Sequence, residues 1–207
     1  MMFRRAGLLV VAAIFGLLNQ GTSALAGQPV AQALNPPPPS FYTCKAVGNG
    51  TICDGALSTP YSQDADFACG SGSNAVELHD SGFLKEHAIR YYDQDGNWTR
   101  RVIYQTFTFG EWSNPLTGAA VSYSQQDTIV DVLAVHGDFA SATETVTGEA
   151  IFTVPHTGAV FLNGGRTVTA PDGSIDFQAG PDGFLDYFVD GDVAVVQQLC
   201  TALGVTT

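Results

Sequence analysis

Small or apolar side chains alternate with polar ones over residues 143–154, and only Ile151 interrupts the alternation. A repeat of two residues places the two sets of side chains on opposite faces of a β-strand. Residues 120–125 alternate in the same way through Val121 and Tyr123. Both segments are therefore predicted to be strands. The small or apolar set of the first segment comprises Val146, Gly148, Ala150, Phe152 and Val154.

Residues 100–109 show a different pattern, because their β-branched and aromatic side chains occur at both parities. This is typical of a strand that is covered on both sides. The pattern predicts a strand with both faces covered in this position.

Turn-forming residues separate the predicted strands at short intervals. Each combination contains a residue that tolerates positive φ or otherwise favours a tight turn. No long helical pattern lies between the strands, and parallel strands need long crossovers, so antiparallel neighbours are favoured. We predict an all-β antiparallel meander that forms a small barrel or sandwich. The turn signals are Asp95-Gly96, Asn114-Pro115, Thr117-Gly118, Asn163-Gly164-Gly165 and Asp172-Gly173.

One short helix is predicted near the C-terminus, over residues 193–203. Asp192 suits the N-cap of this helix, and Gly204 suits the first position after its end. We expect the helix to pack on the sheet or to cover one end of it, held there by Cys200. The apolar residues at helical spacing are Val195, Val196, Leu199, Cys200 and Leu203.

The N-terminus has the three parts of a secretory signal peptide, namely Arg4 and Arg5, an apolar run over residues 6–18, and the small-residue site Ala24-Leu25-Ala26. At 1.5 Å per residue the apolar run spans about 20 Å, which is shorter than a hydrocarbon core of roughly 30 Å. Residues 1–26 are therefore predicted to be a cleaved signal peptide, leaving a secreted protein with no membrane anchor.

Residues 27–40 contain Pro36-Pro37-Pro38-Pro39. Proline fixes φ and lacks an amide donor, so this stretch is predicted to be an extended Pro-rich linker. A proline-rich ligand for an aromatic groove is the alternative. Residues 41–207 have the length of one domain with a sizeable core, and we predict a single β domain there.

Four cysteines, Cys44, Cys53, Cys69 and Cys200, in an exported chain predict two disulfides, because the compartment is oxidising and no C-x-x-C pair is present. Three connectivities are possible. We favour Cys44 with Cys53, which closes a short loop, and Cys69 with Cys200, which links the start of the core to the C-terminal segment.

The chain is strongly acidic, with 20 acidic and 8 basic residues and a formal charge of −12. Signal cleavage would also remove Arg4 and Arg5, leaving 6 basic against 20 acidic residues and a formal charge of −14. Nucleic-acid affinity depends largely on Lys and Arg neutralising phosphates. The charge therefore argues against nucleic-acid and anionic-membrane partners, and it is typical of a soluble surface. A preference for cationic partners or divalent metal is the functional alternative.

Three further segments carry a resemblance to a known group of proteins. They are residues 91–102 (YYDQDGNWTRRV), residues 112–118 (WSNPLTG) and Ala179-Gly180-Pro181. With these segments the chain resembles small secreted β-rich proteins of actinobacteria that have no established activity. The resemblance covers roughly residues 69–203. It implies export and a β fold, and it transfers no catalytic residue.

Common catalytic motifs are absent from the sequence, including G-x-S-x-G, H-E-x-x-H, the P-loop and the dinucleotide fingerprint. No catalytic residue and no cofactor are assigned. A Ser–His–Asp arrangement could include His136 with Asp138 or His79 with Asp80, but such triads are defined by geometry and not by nearness in sequence. The histidines are His79, His87, His136 and His156.

Two groups of acidic residues contain candidate metal ligands. Asp93, Asp95 and Asn97 alternate, but Gly96 is fourth counted from Asp93, whereas the calcium loop has glycine at its sixth position. The calcium-loop pattern therefore fails, and a hairpin turn explains these residues. A second group near the predicted helix offers oxygen ligands for a hard cation, with turn residues and a helix cap as the alternative. No metal ligand is assigned. This group is Asp182, Asp186, Asp190 and Asp192.

Two functions from different classes follow. The first is a secreted non-enzymatic β-protein that binds a small apolar ligand or an envelope or extracellular partner. The second is a β-barrel enzyme, a hydrolase or isomerase, whose active-site residues are scattered over the strands. A preformed apolar cavity would favour the small ligand, because small barrels can hold one. A filled core would favour contacts at the surface, and a pocket that joins a histidine to a carboxylate would favour the enzyme.

Overall fold

A computed structural model describes residues 33–70, 75–153, 160–181 and 193–205. Eight strands form one sheet in chain order, and every neighbouring pair is antiparallel. A single α-helix follows them in these residues. The predicted all-β meander with a short C-terminal helix is therefore confirmed.

The strands differ widely in length, and the longest ones occupy the first half of the sheet. They are β1 (Thr43–Val47), β2 (Gly50–Cys69), β3 (Val76–Tyr92), β4 (Trp98–Ser113), β5 (Ala120–Leu133), β6 (Ala142–Thr153), β7 (Val160–Thr169) and β8 (Ile175–Ala179), and the helix is α1 (Val193–Ala202).

The sheet is open rather than closed. β1 pairs only with the first residues of β2, and β8 pairs only with β7. No pairing between the described residues joins β8 to β1 or β2. The described part of the chain therefore has the sandwich-like form rather than the barrel. Other segments cover one face of the open sheet.

One face, the inner face, holds nearly all of the buried side chains. On β3 it consists of the even-numbered residues and on β5 of the odd-numbered ones, as the pairing through β4 requires. This is the two-residue alternation of a half-covered strand. On these two strands the buried residues are Leu78, Glu86, Ala88, Tyr92, Val121, Tyr123, Asp131 and Leu133.

Bulges interrupt the pairing of the long strands. The register shifts between Ser81 and Phe83 on β3 and between Phe107 and Gly110 on β4. A bulge adds a residue to one strand and bends it. At the β4 shift, Phe109 adopts a φ of 54° and is exposed. The inner-facing residues of β4 change there from odd to even numbers.

One apolar cluster, the helix-end cluster, lies beyond these bulges, under α1. Leu199, Cys200 and Leu203 pack from the C-terminal segment onto the inner face of the sheet. Gly204 follows the helix with a φ of 75°, the left-handed conformation that glycine adopts easily, so the predicted helix end is confirmed. The members of the cluster are Cys69, Leu78, Val121, Tyr123, Ala150, Phe152, Leu199, Cys200, Leu203 and Val205.

A second apolar cluster, the N-terminal cluster, lies at the other end of the strands and consists of Cys53, Tyr92, Trp98 and Leu133. Leu34 and Tyr42 pack against it. The backbone of Asn35 donates to Gly96 O at 2.8 Å and accepts from Trp98 N at 2.9 Å. The described part of the predicted linker, residues 33–40, therefore contacts the domain rather than extending freely from it.

Both favoured disulfides are confirmed, Cys44 with Cys53 and Cys69 with Cys200. Cys44 and Cys53 are direct partners in the β1–β2 ladder. Cys69, at the end of β2, is linked to Cys200 on α1, so this bond attaches the helix to the sheet. Two disulfides indicate an oxidising environment. No helix in the described ranges is long and apolar enough to cross a membrane.

One turn prediction was wrong. Asn163-Gly164-Gly165 lies inside β7 and pairs with β6 along its length. The glycines serve close approach instead of a turn, since a Cβ on Gly165 would lie 2.1 Å from the carbonyl oxygen of Ala179. The double coverage predicted for residues 100–109 holds at Val102 and Ile103, which are both buried, but Tyr104 and Phe109 are exposed.

Candidate functional site

A shallow trough of about 440 Å³ crosses β4, β5 and β6 on the outer face of the sheet. Two rows of side chains form its walls, because residues two apart on a strand lie on the same face. The floor of the trough is the backbone of Gln105, Asp127 and Gly148, which occupy the positions between the two rows. One wall consists of Tyr104, Thr128 and Thr147, and the other of Thr106, Gln126 and Glu149.

The walls of this trough carry polar side chains with no side-chain hydrogen bond to any residue that the structure describes. Among the described residues, no side-chain hydrogen bond or ion pair engages Thr106, Gln126, Thr128, Thr147 or Glu149. A threonine hydroxyl both donates and accepts, an amide does the same with separate atoms, and a carboxylate accepts. Five neighbouring side chains therefore offer unused hydrogen-bonding capacity on one surface.

An aromatic side chain lies at one end of the first wall. Tyr104 is 48% exposed, and its ring stacks on His87 with the ring centroids 6.0 Å apart and the planes 19° apart. His87 Nε2 is in turn 2.6 Å from Asp54 Oδ2. The three residues lie on β4, β3 and β2, where the pairing sets His87 directly beside Tyr104. The histidine thus supports one side of the exposed ring.

The inner face between the two apolar clusters is polar and partly charged. Gln105 Nε2 donates to Glu86 Oε2 at 3.1 Å, and both side chains are buried. Arg101 Nε donates to Asp131 Oδ2 at 2.6 Å, and Asp131 is fully buried. Burial and the neighbouring Asp131 carboxylate raise the pKa of Glu144, while Arg101 partly opposes this shift. A buried charge that is paired in this way tolerates little change in its partners.

The raised pKa of Glu144 predicts a pH-dependent stability. The folded state favours the protonated form of Glu144, so this residue contributes most to the free energy of unfolding below the ordinary glutamate pKa. This contribution is lost as the pH rises through the raised pKa of Glu144 in the folded state. We expect the free energy of unfolding of Glu144→Gln, relative to the native protein, to increase with pH across this window. Urea unfolding at a series of pH values measures the difference, and a difference that stays constant with pH would contradict the assignment.

A hydrogen-bonded group of two tyrosines and an aspartate lies at the edge of the helix-end cluster. The hydroxyls of Tyr61 and Tyr123 are 2.5 Å apart, and Tyr123 donates to Asp80 Oδ1 at 2.8 Å. Burial raises the pKa of Tyr61 to about 12 and raises the pKa of Tyr123 further still. Both phenols therefore stay protonated at neutral pH, which is consistent with a structural hydrogen-bond chain.

The structure places three histidines beside aspartates other than those adjacent in sequence. His79 Nε2 lies 2.9 Å from Ser62 Oγ, and its Nδ1 lies 3.9 Å from Asp64 Oδ1. Adjacent residues on a strand point to opposite faces, so Asp80 lies on the inner face, where it accepts from Tyr123.

His136 likewise lies beside an aspartate other than the one near it in sequence. His136 Nδ1 is 2.8 Å from Asp93, while the Asp138 side chain accepts from the backbone of Ala140. His156 lies outside the described residues. His79 is therefore not paired with Asp80, and His136 is not paired with Asp138.

Of the two acidic groups with candidate metal ligands, the structure describes only the first. Asp93 Oδ1 accepts from the backbone amides of Asp95 and Asn97 at 3.0 and 2.8 Å, as in the predicted hairpin turn. No group of three or more potential ligands close enough to hold a metal occurs in the described ranges. The second acidic group lies outside those ranges and consists of Asp182, Asp186, Asp190 and Asp192.

Sequence reasoning did not identify the trough. Its walls come from three strands whose sequences show only that polar residues alternate with others. The stacked His87 and Tyr104 are 17 positions apart and meet only through the register of β3 and β4. A scan of protein-family models found no match, and neither did searches of curated proteins and of solved structures.

Proposed function

We propose that the protein is exported and, after loss of residues 1–26, acts as a non-enzymatic binding protein that contacts an envelope or extracellular partner. The outer face of the sheet is the binding surface. The single observation that carries the proposal is the trough, which joins unused hydrogen-bonding groups to an exposed aromatic ring. Binding sites commonly combine a few placed polar groups with an aromatic surface.

The distribution of apolar side chains supports a surface contact over a small apolar ligand. The apolar residues of the inner face pack against one another in two clusters, under α1 and under residues 33–42. The trough, by contrast, is lined mainly by threonine, glutamine and acidic residues. An apolar ligand placed there would desolvate these groups without forming hydrogen bonds to them, which is unfavourable.

Export is supported by two independent features. The first 26 residues have the arrangement of a signal peptide. Both disulfides join cysteines that would stay reduced in a cytosol. Mass spectrometry of protein from the culture supernatant tests this part, because it gives the first residue and the number of free thiols together.

The binding proposal is tested by co-sedimentation of the mature protein, residues 27–207, with insoluble envelope material of the producing organism. Thr128→Arg places a long side chain in the trough. Ser122→Arg is the matched control, since it changes the charge equally on the same face of β5, about 20 Å away at 3.3 Å per residue.

We expect the native protein and Ser122→Arg to sediment, and the affinity of Thr128→Arg to fall about tenfold, equivalent to about 1.4 kcal/mol. Absence of sedimentation of the native protein would contradict the proposed function. An equal loss of affinity in both variants would contradict the assignment of the trough as the binding site.

A second candidate function rests on Ser62, His79 and Asp64. Their atoms follow the order of a serine hydrolase triad, with the serine at Nε2 and the carboxylate at Nδ1. The 3.9 Å separation to Asp64 is longer than a hydrogen bond, and Ser62 and Asp64 are exposed on the outer face of β2. Binding is favoured for these reasons. Hydrolysis of p-nitrophenyl acetate by the native protein that disappears in Ser62→Ala would instead support the hydrolase.

A further inference from the structure

We propose that the trough binds a neutral, hydroxyl-rich glycan chain that lies across β4, β5 and β6. The inference rests on the proposed function and specifies its ligand class. It depends on the shape of the trough, on the chemistry of its walls and on the charge around it.

The shape suits a linear polymer that runs perpendicular to the strands. Side chains two residues apart on a strand are about 6.6 Å apart, which sets the spacing between the two walls. Three strands at about 4.8 Å spacing give a crossing of roughly 10 Å from β4 to β6. The same two rows continue onto β3 at His87 and Lys85 and onto β7 at Arg166 and Gly164. Both rows therefore extend beyond the three strands, in the direction that a longer bound chain would follow.

The walls offer the hydrogen bonds that a glycan needs. Each sugar hydroxyl both donates and accepts hydrogen bonds. It therefore matches threonine hydroxyls and a glutamine amide better than a row of side chains that only donate or only accept. Thr128 and Thr147 pair directly across β5 and β6 in one wall, and Gln126 and Glu149 pair in the other. A hydroxyl-bearing chain between these walls can reach donors and acceptors on both sides.

Tyr104 provides the apolar contact. One face of a pyranose ring carries mostly C–H groups, and an aromatic ring can cover such a surface while its hydroxyl stays in water. The stacking of His87 and its contact with Asp54 restrict the tyrosine ring before any ligand arrives. Less side-chain freedom is then lost on binding, which favours affinity.

Charge selects a neutral chain over a polyanion. Within the walls the only ionisable group besides the phenol of Tyr104 is the carboxylate of Glu149, and Asp127 lies at the floor. Lys85 and Arg166 flank the trough, but the mature chain, with 6 basic and 20 acidic residues, has a formal charge of −14 and repels a long polyanion. We therefore expect neutral polysaccharides to bind in preference to acidic ones.

Affinity electrophoresis of the mature protein tests the inference, with neutral polysaccharides (soluble cellulose, glycol chitin, mannan, arabinogalactan) and one acidic polymer (polygalacturonate) in separate gels. The variants are Tyr104→Ala, Tyr104→Phe and Thr128→Arg, with Ser122→Arg as the control. Circular dichroism checks that every variant is folded.

We expect at least one neutral polysaccharide to retard the native protein and Ser122→Arg equally. Tyr104→Ala and Thr128→Arg should weaken this binding at least tenfold, equivalent to about 1.4 kcal/mol, and Tyr104→Phe should weaken it less because the ring is kept. Retardation by the acidic polymer alone, or retardation unchanged in Tyr104→Ala and Thr128→Arg, would overturn the inference. If the protein sediments with envelope material but no neutral polysaccharide retards it, the glycan inference fails and the proposed function stands.

Discussion

Replacing Cys69 and Cys200 together with alanine is expected to lower the free energy of unfolding by about 5 kcal/mol. The two residues are 131 positions apart, and a crosslink over such a long loop removes a large conformational entropy from the unfolded chain. The bond also attaches α1 to the sheet, where Leu199 and Leu203 complete the helix-end cluster. Urea unfolding of the oxidised native protein and of the variant measures the difference.

The matched control is the double replacement of Cys44 and Cys53. These residues are only 9 positions apart and already pair in the β1–β2 hairpin, so the same entropic argument gives about 2.7 kcal/mol. Equal losses in the two variants, or a larger loss in the control, would show that the long crosslink does not stabilise the fold as described.

Phe152→Ala is expected to lower the free energy of unfolding by about 3–5 kcal/mol. The side chain is 1% exposed, and its ring centroid lies 5.2 Å from those of both Trp112 and Tyr123. Truncation removes these contacts and leaves a cavity between β4, β5 and β6, which the long paired strands cannot easily collapse to fill. Thermal or urea unfolding gives the value.

Phe177→Ala provides the comparison for this change. The residue type and the substitution are the same, but Phe177 is on β8 and 47% exposed, so we expect a loss below about 1 kcal/mol. A loss at Phe152 no greater than that at Phe177 would contradict the assignment of the inner face.

Sequence periodicity predicted the fold correctly where one face of a strand is buried and the other is exposed to solvent. Residues 143–153 and 120–125 alternate as expected, and their apolar positions lie on the inner face. The helix was predicted from the spacing of Leu199, Cys200 and Leu203, and its packing on the sheet follows from those apolar residues. These features are local, so a single sequence is enough to show them.

The pattern failed where pairing rather than periodicity decides the structure. Gly164 and Gly165 have the composition of a turn, but they allow β7 to approach its neighbours closely. The inner face also contains polar residues, among them Glu86, Gln105 and Asp131, which alternation alone would assign to the solvated face. Their burial depends on cross-strand partners that only the register supplies.

The candidate site was less predictable than the fold for the same reason. No motif marks the trough, because its walls are assembled from three strands, and the sequence around Tyr104 does not show that its ring is exposed. The Ser62, His79 and Asp64 group likewise spans two strands and required the β2–β3 register. Sequence reasoning left a binding protein and an enzyme both open, and binding is what we propose from the outer-face trough.

Chemical-shift mapping by NMR tests most directly whether the outer-face trough is the binding surface. The mature protein, labelled with ¹⁵N, is titrated with soluble polymers extracted from the envelope of the producing organism. We expect the backbone amides of Thr106, Thr128 and Thr147 to shift together and saturably, while those of Leu78 and Ser122 stay in place. Shifts confined to other surfaces, or no saturable shift at all, would contradict the account.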